Sequence, residues 1–258
     1  MSINIEPQPR SSQWPCGLTL AIAVFVFTRV RGEVACYVEF HRWLHDLGVS
    51  DAVRGLDGPL LLVLASLGAA RLAYGQGGVL RGLGLRASFL LGASFAAAAG
   101  APMVLQAWIA SDGVRADAGT LRGVGVAPFV EELLFRAVLV GIPVRLGGFS
   151  FWPVATFSAL VFASMHVPWN AQFGGEHMGV LAATLAGGLW YSWLLRVYEW
   201  NLWTTILLHA VMNAAWMVFA VAGSAAGGLW PNIGRGLTIA LGTMLAVRHR
   251  RRARVTCA

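Results

Sequence analysis

Residues 123–142 read Gly-Val-Gly-Val-Ala-Pro-Phe-Val-Glu-Glu-Leu-Leu-Phe-Arg-Ala-Val-Leu-Val-Gly-Ile. About 20 mostly apolar residues are what an α-helix needs to cross a bilayer, and only Glu131, Glu132 and Arg136 interrupt this run. Each ionisable group at mid-membrane carries a penalty of a few kcal/mol or more, and it persists where the groups pair or where function requires them. Glu132 and Arg136 are four apart with the acid first, the favourable order for a helical ion pair. They are expected to be a structural pair. Glu131 points about 100° away on an α-helix, and one Arg cannot neutralise both carboxylates. Its desolvation should favour the protonated acid and make it a candidate general base.

The rest of the chain fits the same medium. Of 258 residues, 57% are hydrophobic and 12% charged, with a mean hydropathy of +0.65; soluble domains carry about 25% charged residues. Eight apolar segments are read at Trp14–Thr28, Pro59–Tyr74, Ala87–Ala110, Gly123–Ile142, Phe151–Trp169, Met178–Leu195, Trp203–Ala222 and Leu229–Val247. Arg71 and Arg235 make the second and eighth the weakest, so seven spans is the alternative. The expected fold is all-α: a polytopic transmembrane helical bundle of about eight spanning helices. Residues 1–258 form one integral membrane domain, with the motif-bearing core at about 123–222.

All nineteen basic residues are Arg, a usage expected of a GC-rich bacterial genome. Although the first loop, with four Arg among five acids, is uninformative, ten of the nineteen cluster at Arg71, Arg81, Arg86, Arg145 and Arg196 and in the tail from Arg248 to Arg254. That is the pattern of cytoplasmic membrane flanks, not of a nucleic-acid face. The C-terminus is therefore expected in the cytoplasm of a cell whose inner membrane holds the protein. Phe40, Trp43, Leu44 and Leu47 make a helical stripe suited to the interface; His41 and His45, on its other face, are read as solvated. Cys16, Cys36 and Cys257 form no framework or metal motif. Arg29, Arg31 and Glu33 close the first segment without a signal-type cleavage site. Gly223 and Gly227 are a small-residue pair suited to close packing.

Two further segments bring chemistry to the level of Glu131. One carries Phe162-Ala-Ser-Met-His166 and the other His209-Ala-Val-Met-Asn213, with His209 and Asn213 on one helix face. At about 1.5 Å per residue, Glu131 lies roughly 13 Å below Arg122, while His209 and Asn213 lie about 15 and 21 Å above Glu199. His166 sits somewhat higher, and the four should converge in a pocket opening toward the outer half.

Glu-Glu-x-x-x-Arg at 131–136, Phe-x-x-x-His at 162–166 and His-x-x-x-Asn at 209–213 resemble the three motifs of the CPBP intramembrane proteases. These are bacterial relatives of the type II CAAX prenyl endopeptidase, also called the abortive-infection family. The resemblance covers about a third of the chain. It implies that Glu131 activates a water with help from His166, while His209 and Asn213 stabilise the oxyanion. Glu132, Arg136 and Phe162 are then supporting residues, with Phe162 screening the site or simply packing.

A metal-free mechanism is expected. Zinc held by Glu131, His166 and His209 is the alternative; the Asn beside His209, and the lack of an evident carboxylate behind either His, weigh against it. The expected partners are the lipid bilayer and a membrane-anchored protein or peptide, for instance one losing a C-terminal sorting segment at the outer face. The connection 168–178 is a candidate gate. Two other readings stand beside the protease: an inactive scaffold or immunity protein on the same fold, and a proton-relay transporter using the same Glu and His. The transporter predicts repeated halves, which the sequence lacks.

Overall fold

A computed structural model describes residues 12–30, 35–50, 53, 55–111, 113–167, 174–219 and 228–255. Within them the chain is helical, with no strand. The helices are α1 (Trp14–Val30), α2 (Ala35–Asp46), α3 (Asp57–Tyr74), α4 (Phe89–Ala110), α5 (118–145), α6 (Phe151–Ser164), α7 (Gly175–Val197), α8 (Leu202–Met217) and α9 (Leu229–Val255). Setting aside α2, each of these eight overlaps one of the eight segments read from hydropathy, although the segments read at 151–169 and 203–222 run on into residues outside the described ones.

Three helices, α3, α4 and α7, are long and apolar enough to cross a membrane by themselves; α1, α6 and α8 are shorter and apolar. The remaining two depart from that standard for visible reasons. Polar residues interrupt α5, and α9 runs on into its arginine tail. Together they make a membrane protein.

Successive long helices alternate in direction. Trp14 packs edge-on against Phe149, and Tyr198 stacks on His249 at 4.5 Å, so the start of α1, the start of α6, the end of α7 and the end of α9 share one end of the bundle. Arg71, Arg145 and Arg196, in the last turns of their helices, and Arg81 and Arg86, in the connection between α3 and α4, lie at this end. The opposite end holds α2, the start of α5 and the end of α6. His41 there is not a solvated residue as expected: it packs on Tyr37 and lies 3.2 Å from Asp57 at the start of α3. The reason is tertiary, since α2 folds back over that helix start. His45 is exposed beside Asp46.

The central element is α5, which packs against α1, α3, α6, α7 and α8. Its turns widen to π-helix at Arg122–Val126 and again at Glu132–Gly141. π segments are rare and concentrate at functional sites. Every residue of the second stretch is buried. Its carbonyls find partners outside the helix: Ser158 of α6 donates to the Phe135 carbonyl at 2.8 Å. Small residues let the other helices close in, as at Gly17, where a Cβ would lie 2.7 Å from the Ala69 carbonyl oxygen.

The depth and rotation of α8 are fixed at the arginine-rich end. Asn201 caps it, accepting from the Trp203 N–H at 3.1 Å and donating to the Ser88 carbonyl at 2.9 Å. The Trp203 indole donates to the Leu85 carbonyl at 3.0 Å. Glu199 and Trp200 reach this turn through left-handed backbone (φ 54° and 63°), a region non-glycine residues seldom adopt. Gly84, itself at φ +78°, meets the Trp200 carbonyl where any Cβ would collide. The Gly223–Gly227 pair, Pro168–Phe173 of the candidate gate, Arg31 and Glu33, Cys257 and the Cys36 side chain lie outside the described residues.

Candidate functional site

Halfway along α5, the two adjacent carboxylates have opposite surroundings. The Glu131 side chain keeps 23% of its surface exposed, and that of Glu132 keeps none. Glu132 begins the π stretch and turns into the core. There one carboxylate oxygen lies 3.2 Å from Arg136 Nε, and the other lies 2.9 Å from His209 Nδ1. The expected Glu132–Arg136 pair is therefore present, but Glu132 is also the carboxylate behind His209, which the sequence reading had not found. The motif spacing gives no sign of it, because α8 alone brings His209 to that oxygen.

Glu131 faces the other side of the same imidazole. Its carboxylate lies 3.8 Å from His209 Nε2, too far for a direct hydrogen bond. The two groups flank a common space instead. Paired as a carboxylate with Arg136, Glu132 would accept from His209, with the hydrogen on Nδ1. Nε2 then carries one only when the ring is protonated.

Arg136 is nearly sealed, with 1% of its side chain exposed. Its guanidinium lies over the Phe162 ring at 4.4 Å and the Tyr191 ring at 5.5 Å. Neither terminal nitrogen has a hydrogen-bond partner among the described residues, and its Nε approaches Glu132 without hydrogen-bond alignment. A buried cation without such partners needs other compensation; the two aromatic faces and the Glu132 charge supply it.

Ser158, Phe162 and His166 follow one another at single-turn spacing along α6 and its end, and Ser158 and Phe162 face α5. His166 stands just beyond the helix end. It is exposed, its Nδ1 lies 2.9 Å from the Phe162 carbonyl, and its ring is 4.7 Å from the Phe162 ring. The Phe162 ring in turn is 6.5 Å from that of His209. His166 and Glu131 do not meet as an ion pair in this arrangement; the imidazole that Glu131 faces is His209. Asn213, one turn above His209, donates through Nδ2 to the Gly123 carbonyl at 2.8 Å, which ties the amide to the upper π stretch. Tyr191 of α7 was not anticipated. Its ring is 5.4 Å from that of His209, tilted by 32°, and its hydroxyl meets Met212 Sδ at 3.1 Å. Nothing in the sequence around it marks it, since an apolar helix with one Tyr looks like packing.

The zinc alternative requires Glu131, His166 and His209 to converge. Among the described residues, no three His, Cys, Asp or Glu side chains gather as a ligand set. As placed, the donors do not make a zinc site. Chemically the site offers one accessible carboxylate, one imidazole held by a buried carboxylate, one anchored amide and one outer imidazole.

No curated protein and no solved structure matches the chain. A family model does, over residues 118–215: that of the Rce1-like family, described as type II CAAX prenyl endopeptidase Rce1-like. The match covers less than half of the chain, but it contains α5, α6, α7 and nearly all of α8, and with them every candidate site residue. The site-bearing segment is thus similar to the Rce1-like type II CAAX prenyl endopeptidase family.

Proposed function

We propose that this protein is a metal-free intramembrane endopeptidase that hydrolyses a peptide bond in a membrane-anchored protein or peptide. The observation that carries the reading is the single imidazole of His209 held between a buried and an accessible carboxylate at mid-helix. Glu131, the accessible one, takes a proton from water. The resulting hydroxide attacks the scissile carbonyl carbon, and the oxyanion of the tetrahedral intermediate accepts from protonated His209 and from Asn213. Collapse breaks the C–N bond, and Glu131 returns its proton to the leaving amine. His166, at the exposed end of α6, assists at the mouth by orienting the water.

Glu132 keeps His209 in its donor orientation, in the manner of a carboxylate behind a working imidazole. Asn213 spends one amide hydrogen on Gly123 and directs the other at the substrate.

The site is read as opening toward the end of the bundle opposite the arginine-rich connections, where His166 is exposed at the end of α6. With those arginines cytoplasmic, the mouth lies on the outer side of the inner membrane, and the substrate is cut near the outer face, as in trimming of a C-terminal sorting or anchor segment. Cysteine labelling tests this: sites placed beside His166 should react with an impermeant reagent from outside, and reaction only from inside would reverse the orientation.

The chemistry is tested with a panel of quenched-fluorescence peptides carrying a prenyl or acyl anchor, assayed in liposomes. The expected result is cleavage by wild type, loss in Glu131→Gln, and no effect of a zinc chelator. Loss with the chelator restores the zinc mechanism. A cellular phenotype unchanged in Glu131→Gln shows a scaffold instead.

A further inference from the structure

Tyr191 touches the two groups on which the proposed chemistry depends, yet it belongs to none of the three motifs. Its ring tilts against the His209 imidazole and, like that of Phe162, lies near the Arg136 guanidinium. It is 7% exposed. Its hydroxyl is spent on a thioether, Met212 Sδ, a weak acceptor that points away from any catalytic use. Gly188, one turn earlier on α7, permits this approach: a Cβ there would lie 3.0 Å from the Ala159 Cβ of α6.

We infer that Tyr191 is a positioning residue, whose ring face holds Arg136 and His209 in register so that Glu132 keeps its grip on His209 Nδ1. The inference rests on the proposed role of His209. Its physical basis is the absence of other compensation. The terminal nitrogens of Arg136 have no hydrogen-bond partner among the described residues, so the cation depends on Glu132 and on two aromatic faces. Remove one face, and the guanidinium relaxes toward whatever polar group it can reach. The nearest is the Glu132 carboxylate, and the oxygen that holds His209 is then drawn away. The face matters in this account, and the hydroxyl does not.

The test compares Tyr191→Phe, which keeps the face, with Tyr191→Leu, which removes it. Cleavage of the anchored peptides gives kcat and KM. In parallel, NMR of the full chain in detergent micelles, with 15N-labelled histidine, reads the His209 Nδ1 signal, assigned by its loss in His209→Gln. Tyr198→Leu, a similar truncation at the arginine-rich end, serves as the control for general loosening.

Tyr191→Phe should keep both kcat and the His209 signal. Tyr191→Leu should lower kcat by about 100-fold, the scale of a small misplacement in an active site, with KM little changed and the signal shifted or broadened. Tyr198→Leu should leave that signal in place. If Tyr191→Phe is as impaired as Tyr191→Leu, the hydroxyl acts on substrate and the inference fails. It also fails if Tyr191→Leu leaves the signal unmoved, or if Tyr198→Leu moves it equally. A wild type that cuts no peptide counts against the proposed function, whereas Tyr191 is still judged by the signal.

Discussion

Glu131 and Glu132 are neighbours in the chain and opposites in the fold. One stands at the edge of an accessible space, and the other is sealed between a guanidinium and an imidazole. The same division separates two layers of the site. The inner layer is Glu132, Arg136, Phe162 and Tyr191, buried and locked together. The outer layer is Glu131, His166 and Asn213, which retain contact with the outside. What differs is what each layer can afford to move: the inner one orients, and the outer one reacts.

The largest effect should come from the outer layer. Glu131→Gln is expected to lower kcat by about 10²–10⁴-fold, the usual contribution of a general base, with thermal unfolding unchanged. A matching fall in Tm would mean that Glu131 also holds the fold, and the division would collapse. Asn213→Ala should follow, at about 10²–10³-fold in kcat, the scale of one oxyanion donor.

The inner layer should respond differently, in stability as well as rate. Glu132→Ala leaves Arg136 buried without its carboxylate, and breaking such a pair costs about 3–5 kcal/mol, seen as a large drop in unfolding temperature. The double variant Glu132→Leu, Arg136→Met should recover stability, because apolar replacement of a buried pair is often neutral or better. It should not recover activity, since His209 has lost its carboxylate. Recovery of both would show that Glu132 only neutralises Arg136.

The smallest effect lies outside the site. Asp117 caps the start of α5, accepting from the Thr120 N–H at 2.8 Å. That bond holds its carboxyl below the ordinary carboxylate range despite an opposing desolvation effect. A depressed folded value means the stabilisation is present above the unfolded value and fades as pH falls through the folded one. Asp117→Ala should therefore lower Tm slightly near neutrality and not at all in strong acid, with kcat kept. A rate loss here would mean that the outer half of α5 reports to the site.

The span positions were legible because hydropathy and helix length are properties of the segment alone. The Glu132–Arg136 pair was legible for the same reason: both partners sit on one helix at a fixed offset. His209 and Asn213 on a common face were equally local. The Glu132–His209 bond and the contact between Tyr191 and Arg136 were not, because each joins helices distant in sequence. The π turns of α5 were also hidden. They are set by how the helix fills the space among five neighbours, and no residue in 132–141 announces them.

The sequence by itself determined the medium, the approximate positions of the helices, the three motifs and the identity of every polar group placed in the membrane, because periodicity, composition and burial cost act over one or two helical turns. Only the tertiary structure decided which of two adjacent carboxylates is sealed, which imidazole it holds, and which aromatic rings cover the buried cation. Those choices depend on the rotation of α5 against α6, α7 and α8. That rotation is fixed by close packing and by polar groups that must find partners where there is no water.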